Sequence, residues 1–364
     1  MRSLSLRELE AEARPCLAPS IYEYFAGGAG DEVTLRANES AFARFALVPR
    51  VLRGAGAPDL GVTLLGCAAS MPILIAPTAF HRLAHPEGEC ATARAAAGAG
   101  TIMIVSMAST VAIANVVASA RAAAGPVDPS LWFQMYIQPD LDFTEAIVRR
   151  AEAAGCKALV VTVDSPAFGC RERDLRNGFV DLPDGMCCEN MREPDGGDGL
   201  GRPRPIEFAP ELSWEHIDWL RRVTALPIAL KGVMHAEDAR MAVDRGIDAL
   251  LISNHGGRQL DSVPATIDLL PAIAEAVGDR VPLLLDGGVR RGTDVVKALA
   301  LGASAVAIGR PVLWGLTLGG TTGVSRVLDM LRSELEQTLT LCGCRSPRDL
   351  TRSLVRLGRI GEPW

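Results

Sequence analysis

The segment Ser253-Asn254-His255-Gly256-Gly257-Arg258-Gln259-Leu260-Asp261 gathers several groups that could do chemistry. Histidine exchanges a proton most readily near neutral pH, so His255 is the general-base candidate. Arg258, three residues on, offers the bidentate fork that grips a carboxylate. Asp164 can orient that histidine and stabilise its charged form, or it can cap the segment that follows. Lys231 ends an apolar approach (PIALK) and, once buried, needs an anionic partner. A Schiff-base role and a position against an anionic cofactor both remain open for it. Asp286-Gly287-Gly288-Val289-Arg290 and Gly309-Arg310-Pro311 combine glycines that allow close backbone approach with guanidinium forks. That pairing suits a phosphate, with tight turns and surface ion pairs as the structural alternative. Ser106, Gln134, Tyr136, Thr162 and Ser253 stand at similar places, and His81 follows another such run. His85, His216 and His235 read as helix starts or surface positions.

These groups share a placement: each sits at or just beyond the end of a short apolar run. Eight runs are visible, at 72–77, 101–106, 131–137, 158–164, 227–231, 249–253, 282–286 and 305–309. They are continuous rather than alternating, which is how strands buried on both faces read. Helical patterns lie between them, such as 142–154 with Gly155 as its stop, 236–245 and 292–301. The repeat predicts an α/β chain folded as a single (β/α)8 TIM barrel, whose active site gathers at strand C-terminal ends. No G-x-G-x-x-G follows the first run and no G-x-x-x-x-G-K-[ST] occurs, which disfavours a doubly wound sheet. We expect one domain over 1–364: a helical extension at 1–70 capping the bottom or one side, a barrel core at 72–310, and a final helix at 320–345. A Gly-, Pro- and Asp-rich stretch at 177–212 reads as a lid loop after the fourth strand.

Composition narrows the function. Of 364 residues, 48% are hydrophobic and 22% charged, which excludes a disordered chain. A net charge of −6 argues against a nucleic-acid partner. Nine cysteines, an odd number without histidine partners at zinc spacing, read as reduced thiols of a cytoplasmic protein with no metal site. Residues 95–120 are uncharged but small, and read as a buried strand and helix rather than a membrane span.

SNHGGRQLD followed by DGGVRRGTDVVKALALGASAVAIGRP resembles the FMN-dependent 2-hydroxy acid oxidase/dehydrogenase family. The resemblance extends through YEYFAGGAGDEVTLRAN at 22–38, PILIAPTAFHRLAHPEGE at 72–89, WFQMY at 132–136 and TVDSPAFGCRERDLRNGF at 162–179. It implies FMN in the barrel mouth. His255 would take the substrate proton, from Cα or from the hydroxyl, and Asp164 would support the imidazolium. Arg171 and Arg258 would bind the carboxylate, and Tyr24 and Tyr136 the carboxylate and hydroxyl. Lys231 would face the reduced flavin. Ser106, Gln134, Thr162 and the backbone of Pro77, Thr78 and Ala79 would contact the isoalloxazine, with Ser253 beside it. Asp286, Gly287, Gly288, Arg290, Gly309 and Arg310 would hold ribitol and phosphate.

Two departures bear on the substrate. Ala108 stands where several members carry a bulky aromatic, and Phe80-His81 is closer to the Tyr-His of hydroxymandelate oxidases than to the Met-Gln of glycolate oxidases. With Phe80, His81 and Ala108 in the substrate pocket, we expect a small-molecule 2-hydroxy acid bulkier than glycolate, with an aryl or long side chain. The loop after the fourth strand is polar where membrane-bound members have an apolar insertion, and no haem domain is fused, so O2 is the expected electron acceptor, giving H2O2. A soluble dehydrogenase using another acceptor is the alternative. The resemblance also implies a homo-oligomer, a tetramer.

Overall fold

The computed structural model describes residues 3–125, 128–194 and 200–358. Its centre is a closed barrel of eight parallel strands. They are β1 (Ile73–Ile75), β2 (Met103–Ser106), β3 (Leu131–Met135), β4 (Leu159–Thr162), β5 (Ile228–Val233), β6 (Ala249–Ile252), β7 (Leu283–Leu285) and β8 (Ala305–Ile308). Ring closure is direct, since Val306, Ala307 and Ile308 of β8 pair with Ile73, Leu74 and Ile75 of β1. The expected (β/α)8 architecture is therefore present.

Both faces of these strands are buried, which explains their unbroken apolar runs. Leu74, Ile104, Trp132, Val160, Ala229, Leu251, Leu284 and Ala307 pack inside the barrel. Their neighbours Ile73, Ile75, Val105, Phe133, Val161 and Leu230 pack outward with the helices. Successive side chains alternate between the faces of a strand, so one run supplies two cores. The helices carry their own boundary signals. Asp140 caps Leu141–Ala154 by accepting the Phe143 N–H at 3.0 Å, an interaction worth about 1 kcal/mol. Gly155, at φ +93, ends that helix in the left-handed region.

The extension departs from its expected form. It begins with helices Leu6–Ala13, Pro19–Ala26 and Val33–Ser40, but continues into strands. Phe45–Leu47 pairs antiparallel with Val355–Leu357 near the other end of the chain. Val62–Leu64 and Cys67–Ala69 form a hairpin whose turn residues, Leu65 and Gly66, both have positive φ. Leu64, Cys67 and Ala69 join the inner apolar cluster and close the barrel floor. The second and third helices lie instead at the mouth. Asp261, from the loop after β6, caps Val33–Ser40 by accepting the Thr34 and Val33 N–H groups at 2.8 and 3.2 Å. Asn38 and Asn254 exchange two 2.8 Å amide bonds beside it. A polar contact set thus draws half the extension over the mouth, while apolar residues send the other half to the floor.

The β4–β5 connection contains Glu172–Arg176, a short hairpin of Arg192–Pro194 with Leu200–Pro203, and helix Trp214–Val223. Residues 195–199 of the expected lid lie outside the described set. Its flanks are pinned to the barrel wall: Arg204 pairs with Asp140 and Glu193 at 2.8 Å each, and the Glu207 N–H donates to Gln138 Oε1 at 3.0 Å. The last long helix runs Arg310–Leu341, starting and ending earlier than the expected 320–345, with a break at Gly319 and Gly320. All nine cysteines are free. No helix of the described residues is long and apolar enough to cross a membrane.

Candidate active site

The C-terminal ends of the strands open on a cavity of about 910 Å³, roofed by the extension and the β4–β5 connection. His255 stands in the loop after β6, at φ +58, ahead of Gly256 and Gly257 at +64 and +74. A non-glycine residue held there stores about 1–3 kcal/mol of strain, so the surroundings must impose the geometry. They do: a Cβ on Gly257 would lie 2.7 Å from the Leu35 backbone nitrogen, so the loop passes close under the extension. His255 Nδ1 meets Asp164 Oδ1 at 2.9 Å. Burial, with the Lys231 charge, pushes the imidazole down to about 4. Burial opposes ionisation of Asp164, but the His255 and Lys231 side prevails and holds that carboxyl at about 2. The pair is therefore a neutral imidazole on an ionised carboxylate: Nδ1–H donates to Asp164, leaving the Nε2 lone pair as the acceptor.

Behind the histidine, Ser253 Oγ accepts the His255 N–H at 3.1 Å. Three neighbouring strands contribute one polar chain: Ser106 Oγ donates to Gln134 Oε1 at 3.0 Å, and Gln134 Nε2 donates to Thr162 Oγ1 at 2.9 Å. Lys231, buried on β5, lies 3.9 Å from Asp286 Oδ2. Burial raises the Asp286 pKa, with Lys231 opposing. Asp286 Oδ1 and Asp164 Oδ2 are buried without a hydrogen-bond partner. Of the two, Asp286 lines the cavity, and an orphan there calls for a ligand's donor.

Two guanidinium groups frame the other side. Arg258 Nη1 donates to the carbonyls of Tyr24 and Gly27 at 2.6 and 2.9 Å, and its guanidinium lies 5.0 Å from the Tyr24 ring centre. Burial, then the nearby Arg171 charge, pulls Arg258 down to about 10, which leaves it cationic at neutral pH. Arg171 lies over Phe168 at 5.7 Å. Tyr24 stacks on Phe80 at 5.6 Å and leans on Phe179 at 4.6 Å. Tyr136 is T-shaped to Phe208 at 5.1 Å, and Phe208 to Phe168 at 4.4 Å. Burial raises both tyrosine pKa values, so both phenols stay protonated.

Most sequence-predicted residues meet in this cavity: Tyr24, Pro77, Thr78, Ala79, Phe80, Ser106, Ala108, Gln134, Tyr136, Thr162, Arg171, Lys231, His255, Arg258, Asp286, Gly287, Gly288, Arg290, Gly309 and Arg310 all line it. Asp164 and Ser253 lie behind its surface rather than on it. His81 is a correction. It does not line the cavity but is buried beneath it, because Phe80 at φ +64 reverses the chain and turns the next side chain inward. Arg310 also differs in detail. Its guanidinium donates to the carbonyls of Phe25, Gly256 and Gly27 at 3.0, 3.0 and 2.8 Å, so it fastens the extension to the β6 loop. Arg290 pairs with Glu39 at 2.9 Å. Phe168, Phe179 and Phe208 were missed; Phe168 and Phe179 stand inside the motif at 162–179 and Phe208 in the expected lid, but nothing in the sequence marks any of them as cavity-lining.

The donor set fits a flavin mononucleotide. A buried cation on β5 and an orphaned carboxylate oxygen just beyond β7 face the cavity, and Arg290, Arg310 and the glycines after β7 and β8 line it beside them. The comparisons agree. Residues 13–357 match the family described as FMN-dependent dehydrogenase. Glycolate oxidase of Spinacia oleracea is 46% identical over 98% of this chain and 96% of its own length. L-lactate oxidase of a Nostoc species is 45% identical over 97% and 98%. A crystal structure of mandelate oxidase with benzoylformic acid superposes with a TM-score of 0.88 at 41% identity, covering 98% of this chain and 99% of that one. With a match over nearly its whole length and the donor set in place, this chain belongs to the FMN-dependent dehydrogenase family.

Proposed function

We propose that this protein oxidises an L-2-hydroxy acid to the 2-oxo acid and passes the electrons to O2, giving H2O2. The observation that carries the reading is the neutral His255, backed by ionised Asp164, sharing one cavity with two cationic guanidinium groups. Bound FMN would accept the two electrons released from Cα.

The protein's own part follows from the donors. The Arg258 Nη2 and Nε groups and the Arg171 Nη groups can clamp a carboxylate, and this fixes Cα. Protonated Tyr24 and Tyr136 can donate to the carboxylate and hydroxyl oxygens. His255 Nε2 takes the proton, and Asp164 offsets the imidazolium charge that results. Lys231 supplies a buried positive charge at the cavity floor. Asp286, Gly287, Gly288, Arg290, Gly309 and Arg310 would hold the ribitol and phosphate, and Ser106, Gln134, Thr162 and the backbone of Pro77, Thr78 and Ala79 the ring system.

The substrate we propose is bulkier than glycolate, with an aryl or long apolar side chain. Ala108 leaves the cavity without a ring at that point, Met135 does not line it, and Phe168, Phe208 and Tyr136 form an aromatic wall. Turnover of a 2-hydroxy acid panel with peroxide detection tests both parts. Flavin that is reduced by the acid but stays reduced for minutes in air would overturn O2 as acceptor. Glycolate outperforming mandelate and branched acids in kcat/KM would overturn the bulky substrate. The family resemblance supports a homotetramer acting on a small molecule, the free cysteines support a cytoplasmic location, and sedimentation velocity checks the assembly.

A further inference from the structure

His81 and Glu89 are buried, titratable and unused by the proposed reaction. Their bonds join the two loops that form one wall of the cavity. Glu89, on helix Gly88–Ala99, accepts the His81 N–H at 3.1 Å and the Thr110 N–H at 2.9 Å through Oε1, and the Thr110 hydroxyl at 2.7 Å through Oε2. The carboxylate therefore ties the loop after β1 to the loop after β2, and Phe80 N–H adds a bond to Ala108 O at 3.2 Å. The His81 ring bridges Thr92 Oγ1, 2.9 Å from Nδ1, and Thr78 Oγ1, 2.6 Å from Nε2. Thr78 is on the cavity surface, yet its hydroxyl is turned back into the wall to meet the histidine. That leaves its methyl beside Gly309, where a Cβ would approach Thr78 Cγ2 to 3.2 Å. Among the described residues, neither the Thr78 nor the Ala79 N–H has a hydrogen-bond partner. Burial lowers the His81 pKa against the Glu89 charge, so the ring bridges as a neutral imidazole.

We propose that His81 is a positioning residue: held by Thr92 and by the Glu89-anchored loop, it locks the Thr78 side chain so that the backbone N–H groups of Thr78 and Ala79 stay free for the bound flavin. The inference rests on FMN occupying the cavity and not on which acid is oxidised, so a failed substrate panel leaves it standing.

The test uses the holoenzyme and a double-mutant cycle. FMN release after dilution, followed by the rise of free-flavin fluorescence, is measured beside the visible absorption band of the bound flavin. His81→Leu should speed release about tenfold and shift the band. His81→Gln, which keeps a hydrogen-bonding amide for the Thr78 hydroxyl, should restore most of both. Thr78→Val should reproduce His81→Leu, and the double variant should be no worse than either single one. Multiplicative effects in the double variant would overturn the proposal, as would a Gln variant no better than the Leu variant, because general loosening of the wall predicts both.

Discussion

The cavity has two halves built on different principles. On the strand-end half, His255, Asp164, Ser106, Gln134, Thr162 and Ser253 are joined by bonds of 2.9–3.1 Å and anchored on β2, β3, β4 and β6 or the loops just beyond them. On the other half, Tyr24, Phe168, Phe179 and Phe208 come from the extension and the β4–β5 connection and meet through ring contacts at 4.4–4.6 Å. Phe168 is 65% exposed and Val180 88%, although both line the cavity. Directional bonds on a rigid frame suit proton transfer, where a small displacement is costly. Ring contacts on inserted segments suit selection of a side chain, where shape matters more than angle. The difference places the chemistry on the barrel and the choice of substrate on its insertions.

That division can be broken experimentally. The largest effect should come from His255→Gln, which removes the base and should slow anaerobic flavin reduction by about 10³–10⁴-fold; a loss under tenfold would end the case for a strand-end chemical half. Asp164→Asn should cost about a hundredfold in the same assay. It also has a pH signature. The imidazole must be neutral to accept a proton, so kcat/KM should hold as pH falls below the ordinary histidine value and drop only as pH nears about 4. The Asp164 charge raises the His255 pKa, so removing it should move that acid limb to still lower pH.

The side-chain pocket, which runs from Ala108 in the loop after β2 to the inserted rings, should respond in selectivity instead. Ala108→Trp should reduce kcat/KM for an aryl acid about tenfold relative to glycolate, the range that a mismatched apolar pocket imposes. An unchanged ratio would move the side-chain site elsewhere. Phe208→Ala is the mildest change, raising KM for aryl acids a few-fold with kcat nearly constant, as loss of one ring contact of about 0.5–1.5 kcal/mol predicts.

Much of the strand-end half was legible in the sequence, because each doubly buried strand leaves an unbroken apolar run and the polar residue that ends it is conspicuous. Asp164, Lys231, His255 and Asp286 were visible in this way. The inserted half was hard to read, because aromatic residues at 168, 179 and 208 carry no period and depend on contacts across the chain. His81 was misplaced for a more local reason: one left-handed residue, Phe80, sends the following side chain to the opposite side, and no composition signal marks a non-glycine in that conformation. Arg310 was placed correctly on the cavity, but its three carbonyl partners lie 54–285 residues away. The floor hairpin was read as part of a helical extension because its strands are only three residues long.

That hairpin affects the order of events in turnover. With Leu64, Cys67 and Ala69 sealed against Trp132 and its neighbours, the polar reactants have no path along the barrel axis. The hydroxy acid must arrive, and the oxo acid depart, through the same mouth between the extension and the β4–β5 connection. Traffic there is single file: with Arg258 as the proposed carboxylate clamp, a molecule of oxo acid still held on it would block the next hydroxy acid, so accumulating product should compete directly with substrate rather than act at a distance.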